Sequence, residues 1–159
     1  MNVDYKTVNR QMIRIFVFGS NEGGRHGMGA AKYAKEKYGA IYGQGYGLQG
    51  QSFGIPTKSA SLELLEPNVI RDYVNKFIEF AKQHPEMEFY VTEIGCGLAV
   101  PCVVGETPHY GCKHPECRIA RIKQIGEMFK EALKLENVIL PKSFGGDRDV
   151  KIDSNGEET

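Results

Sequence analysis

Five residues with thiol or imidazole ligand atoms, Cys102, His109, Cys112, His114 and Cys117, crowd into the segment PCVVGETPHYGCKHPECR, residues 101–118. Zinc takes four thiolate or imidazole ligands in a tetrahedron, and the two-residue gaps of His109-x2-Cys112 and His114-x2-Cys117 are common in small zinc knuckles. The segment also carries the Gly and Pro turns that a knuckle needs. It departs from the usual pattern in having no C-x2-C pair and a four-residue gap between Cys112 and Cys117. The reading is a structural zinc on Cys102, His109, Cys112 and Cys117, with His114 as an alternative ligand. An exposed loop without metal, or a disulfide under oxidising conditions, stands beside it. With all four positions filled by protein, such a metal would not be catalytic.

A second constellation lies in FVFGSNEGGRHGMGAAKYA, residues 16–34. An apolar strand runs into a glycine-rich turn that holds Ser20, Asn21, Arg25 and His26, and a helix begins near Gly27 to Gly29. Glycine lets a backbone approach an anion and adopt positive φ, so that successive N–H groups point into one concavity. The unpaired N–H groups of a helix start favour negative charge, to which Arg25 and His26 add a charge or a donor. A second strand ends in IGCGLAV, with Gly95, Cys96, Gly97, Leu98 and Ala99. Two such loops read as the two walls of a site for a phosphorylated ligand. Gly19, Ser20, Asn21, Gly24, Arg25, Gly27, Met28 and Gly29 form the first wall and Gly95–Ala99 the second. Taken singly, each loop is more often just a tight turn, and it is the pair that points to a ligand. The first lacks the G-K-[ST] ending of a P-loop and the full G-x-G-x-x-G of a dinucleotide fold.

For chemistry, Asn21 can orient a nucleophile but cannot act as a base. His26 titrates near neutral pH and is the candidate general base if it faces the ligand; otherwise it is a helix-start residue touching solvent or phosphate. Glu93 stands in a strand and is a candidate partner for Arg25. Cys96 is a candidate nucleophile or a packing residue.

The elements that must hold these residues follow from hydrophobic pattern. MIRIFVFG, 12–19, is a nearly continuous apolar run and predicts a buried central strand. Ala, Lys and Glu then predict a helix closed by Gly39. AIYGQGYG and SFGIPTK read as glycine-bent strands. Tyr42, Tyr46 and Phe53 there either cover the ligand or fill the space between sheet and helix. Pro67 opens a helix whose Val69, Ile70, Tyr73, Val74, Phe77, Ile78 and Ala81 form one apolar face, and Pro85 ends it. EFYVTEIG is a further strand. RIARIKQIGEMFKEALKLE predicts a helix with Ile119, Ile122, Ile125, Phe129 and Leu133 inward, and NVILP a last strand. The order implies an α/β fold with helices on both faces of a mixed central sheet. One domain over 1–144 carries the Cys/His-rich insertion at about 101–118, and 145–159 reads as a polar, flexible tail.

The chain has 159 residues, 41% hydrophobic and 25% charged, with twenty basic and twenty acidic side chains. A net charge of zero argues against a nucleic-acid binder. No apolar run suits a membrane span, and MNVDYKTVNRQM lacks the pattern of a secretory signal, so a cytoplasmic location with reduced or metal-bound cysteines is expected.

On FVFGSN, GGRHGMGAAKYAKEKYGA, SFGIPTK and VTEIGCGLAV, from about Ile13 to Pro141, the chain resembles the macrodomain, an ADP-ribose-binding module. It would be a divergent relative, without that family's asparagine-rich signature and triple glycine. The resemblance implies a macrodomain-like three-layer α/β/α fold and an ADP-ribose ligand, free or on an ADP-ribosylated protein, with no cofactor required. It implies that Asn21 contacts the distal ribose, that Gly27, Met28 and Gly29 donate from the first loop, and that Gly95–Ala99 wrap the diphosphate. No position matches the family's adenine-reading acidic residue. Hydrolysis of an ADP-ribosyl linkage or a phosphoester, with Asn21 and His26 nearest the chemistry, is one expectation. A non-catalytic nucleotide-binding or sequestering module is another, and a zinc-stabilised interaction protein with a vestigial pocket is a third.

Overall fold

Ile15, Phe16, Val17 and Phe18 are all buried, yet they serve two different cores. Successive strand side chains point to opposite faces. Ile15 and Val17 therefore join one cluster, while Phe16 and Phe18 join another with Ala31, Ala34 and Ala40. That alternation makes β1 (Ile13–Asn21) a strand with packed elements on both sides. The structure, a computed structural model, describes residues 12–105 and 110–149.

Beside β1 lie β2 (Gly47–Gln49), β3 (Ser52–Lys58), β4 (Met87–Val91) and β5 (Val138–Ile139), in the order β2-β3-β1-β4-β5. β1 runs parallel to β3 and β4, and β4 parallel to β5, whereas β2 is antiparallel to β3. The chain is thus α/β with a mixed five-stranded sheet. The carboxyl ends of β1, β3 and β4 lie side by side. Of the glycine-bent segment before β3, only Gly47–Gln49 pairs as a strand, and the residues preceding it form a loop.

Helix α1 (Gly29–Lys37) packs on the Phe16 and Phe18 face. Gly39, at φ +73°, reverses the chain after it as expected. Helix α2 (Pro67–Gln83) buries Ile70, Val74, Phe77, Ile78 and Ala81 against the other face. Phe77 meets Phe53 and Phe89 edge-on, at ring centroids 5.2 and 5.4 Å apart. Each such fully buried ring contributes about 1.5–3 kcal/mol of transfer free energy.

Helix α3 (Pro115–Met128) differs from expectation in both extent and face. It ends at Met128, and a tighter 3-10 turn, Lys130–Lys134, follows. Its buried residues are Cys117, Arg121, Ile125 and Met128, while Ile119 and, in the 3-10 turn, Leu133 are exposed. The helix is rotated so that Cys117 reaches the Cys/His segment and Arg121 reaches the loop after β4. Beyond β5, Arg148 folds back: its N–H donates to Leu140 O and its Nη1 to Val91 O. Of the polar carboxyl-terminal stretch, residues 150–159 lie outside the described residues, as does His109. Among the described residues no helix is long and apolar enough to cross a membrane.

Candidate functional site

Cys102, Cys112, His114 and Cys117 each bring one ligand atom into a group whose members all lie within 4.8 Å of one another. Local structure explains the convergence. Cys112 N–H donates to Val100 O at 3.1 Å, and Pro101 bridges Tyr110 in antiparallel fashion, so the segment returns on itself. Gly111, at φ +74°, supplies the turn between Tyr110 and Cys112. His114 precedes α3 and Cys117 sits in its first turn. Sulfur also receives backbone donors: Val103 N–H to Cys117 Sγ at 3.3 Å and Gly105 N–H to Cys102 Sγ at 3.2 Å. Val100, Cys112 and Cys117 are buried together, with Cys102 against them.

This set could hold a metal ion, and three thiolates with one imidazole suit zinc. Cys112 Sγ lies 3.0 Å from His114 Nδ1. The Cys112 thiol is drawn down by the backbone N–H of His114, but burial and the adjoining Cys117 and Cys102 thiols outweigh that and raise it. A divalent cation reverses this balance, because it stabilises every thiolate at once. Among the described residues, Cys102, Cys112 and Cys117 of the expected ligands are brought together with His114, the alternative, while His109 lies outside them. All four cysteines are thiols rather than disulfides.

The two glycine loops also meet. A Cβ added to Gly29 would stand 3.2 Å from Leu98 Cδ1, and one on Gly19 would stand 3.4 Å from Gly95 N. On the first wall Arg25, Gly27, Met28 and Gly29 are exposed; on the second, Gly97 and Leu98 are. Helix α1 begins within the first loop, and no side chain caps its first N–H groups. Gly95, at φ +73°, turns the second loop, and Arg121 Nε donates to its carbonyl at 3.0 Å.

Residues expected nearest the chemistry are committed elsewhere. Asn21 Oδ1 accepts from Arg25 N–H at 2.9 Å and its Nδ2 donates to Arg25 O at 3.0 Å, closing the 21–25 turn. Ser20 Oγ donates to Gly45 O. His26 is fully buried: its Nε2 lies 2.8 Å from Gln44 O and 3.2 Å from Gln49 Oε1, and its ring edge meets Phe18. Held there and shielded from solvent, it bolts the first loop to the strand β2 region. Cys96 is buried, and desolvation followed by the Glu93 charge pushes its thiol up to about 12, which removes it as a nucleophile. Glu93 pairs with Arg118 rather than with Arg25. Gly24, at φ +67°, is pressed against the backbone of Gly43 and Gln44, and Ala99 is buried, so both shape the walls from behind.

Sequence reasoning passed over Gln44, Gln49, Lys58, Tyr110 and Arg121. Gln49 is 2% exposed and Arg121 3%. Arg121 Nη2 has no hydrogen-bond partner among the described residues. The signal for Gln49 was a polar side chain amid the glycines of GLQGQS; Arg121 carried none, since a helix arginine normally faces water. Phe53 and Tyr46 fill space against α2, while Tyr42 stays exposed beside Lys35. A cavity of about 320 Å³ lies by Arg14, Phe16, Tyr33 and Tyr90, at the other end of β1 and away from the two glycine loops.

No family model, curated protein or solved structure matches the chain.

Proposed function

We propose that the chain is a macrodomain-like, three-layer α/β/α domain that binds ADP-ribose or a related nucleotide diphosphate, with a structural zinc on Cys102, Cys112, His114 and Cys117. What carries the reading is the opposition of two exposed, glycine-bent segments, 27–29 and 97–98, beyond the carboxyl ends of adjacent parallel strands. Ligands of open α/β sheets sit in that position, and backbone N–H groups on two sides suit a diphosphate. The reading is of binding rather than hydrolysis, because Asn21, His26 and Glu93 are each tied into structural contacts.

Calorimetry of the zinc-loaded full chain against ADP-ribose, AMP and NAD tests it. ADP-ribose should bind, and more tightly than AMP. Absence of heat and of thermal stabilisation with all three would sink the proposal. Turnover of an ADP-ribosylated protein would overturn the non-catalytic part alone.

A further inference from the structure

Lys58 ends β3 at the carboxyl edge of the sheet, opposite Asn21 in the register with β1. Its carbonyl accepts from Glu22 N–H at 2.9 Å, which fixes the strand end against the start of the first loop. Its Nζ lies 4.4 Å over the ring of Tyr110. Tyr110 belongs to the Cys/His segment and bridges Pro101, at the exit of the second loop. Since β1 lies between β3 and β4, that contact carries the segment across the end of β1.

Among the described residues Lys58 Nζ makes no ion pair. The carboxylates of both loops are engaged: Glu22 accepts from Tyr73 Oη at 2.6 Å, and Glu93 holds Arg118. Partial burial lowers the pKa of Lys58, the sign of an ammonium losing water. Among the described residues the Tyr110 ring is the one partner of Lys58 Nζ, and lysine binds phosphate as a point charge.

Resting on the strand-end reading above, we propose that Lys58, held in place by Tyr110 of the metal-stapled segment, is the cation that engages the ligand's diphosphate and makes the crevice selective for anionic nucleotides. The Cys/His centre then acts on affinity through Tyr110, since the cluster fixes the turn at Gly111 from which that ring projects.

The test is calorimetry of the zinc-loaded full chain and its Lys58→Gln, Lys58→Arg and Tyr110→Ala variants with ADP-ribose, inorganic pyrophosphate and adenosine, at several NaCl concentrations. Lys58→Gln should weaken ADP-ribose and pyrophosphate by about tenfold or more, the scale of one charge-assisted contact. It should also flatten the salt dependence of their affinity, because the screened charge is gone. Adenosine should stay within about twofold, Lys58→Arg should recover most of the loss, and Tyr110→Ala should fall between. If wild type binds ADP-ribose and Lys58→Gln binds it equally, with an unchanged salt slope, Lys58 has no such role while the crevice reading stands. Equal loss of adenosine and ADP-ribose would make Lys58 structural and overturn the proposal. No binding by wild type would overturn both.

Discussion

At the scale of single residues, burial decides chemistry. Cys96 titrates at about 12 instead of its ordinary 9.0, through desolvation and then the Glu93 charge. Tyr73 is raised from 10.0 to about 12 by desolvation and by its hydrogen bond to Glu22. Both keep their protons in the folded chain at pH values where the unfolded chain has lost them. The folded state therefore binds more protons in that window, and stability falls as pH rises. The contribution is complete below about pH 9 and is lost between about 9 and 12. Urea midpoints at rising pH should decline across this window, and Cys96→Ala should remove part of the decline. A midpoint flat from pH 9 to 11 in wild type would contradict the burial of these groups.

At the scale of elements, the first loop is held by interlocked backbone and side chains. Gly24 lies at φ +67° against Gly43 and Gln44, while His26 bonds Gln44 O from the same loop. Gly24→Ala adds a strained conformation to a collision with backbone. It should destabilise the fold by about 2–4 kcal/mol, a large effect for one methyl group. Gly27→Ala, where an added Cβ meets nothing, should cost under about 1 kcal/mol. Denaturant melts of the two variants check the difference; equal losses would show that the loop is not clamped at Gly24. The rotation of α3 belongs to this scale too. Apolar periodicity placed Ile119 and Leu133 inward, but Cys117 must reach the Cys/His group and Arg121 the Gly95 carbonyl. Those two anchors set the helix phase.

At the scale of the whole molecule, the Cys/His centre links the exit of the second loop, the start of α3 and, through Tyr110, the end of β3. Metal that binds only the folded chain stabilises it by mass action. The purified chain should carry about one zinc per molecule, and a strong chelator should lower Tm by several degrees, with zinc restoring it. Cys112→Ser should lose the metal and show the lower Tm without chelator. Elemental analysis that finds no metal, with a chelator-insensitive Tm, would remove the centre.

Sequence alone determined the elements whose signals are local. The apolar run of β1, the periodicity and Pro67 start of α2, and the turn at Gly39 follow from side-chain pattern and backbone sterics. It also marked both glycine loops and the Cys/His segment, because those residue types at those spacings are unusual for a core. Tertiary structure alone decided which side chains of the two loops are exposed. Asn21 and His26 read as reactive from type and position, but burial and hydrogen bonds to Arg25 and Gln44 bind them inward. It also decided that His114 stands beside Cys102, Cys112 and Cys117, and that Tyr110 lies over Lys58. Both depend on where the turn at Gly111 and the phase of α3 place residues far apart in the chain. Sequence spacing carries no such information: a ligand set or a cation site is a statement about distances, and those are set only when the chain closes on itself.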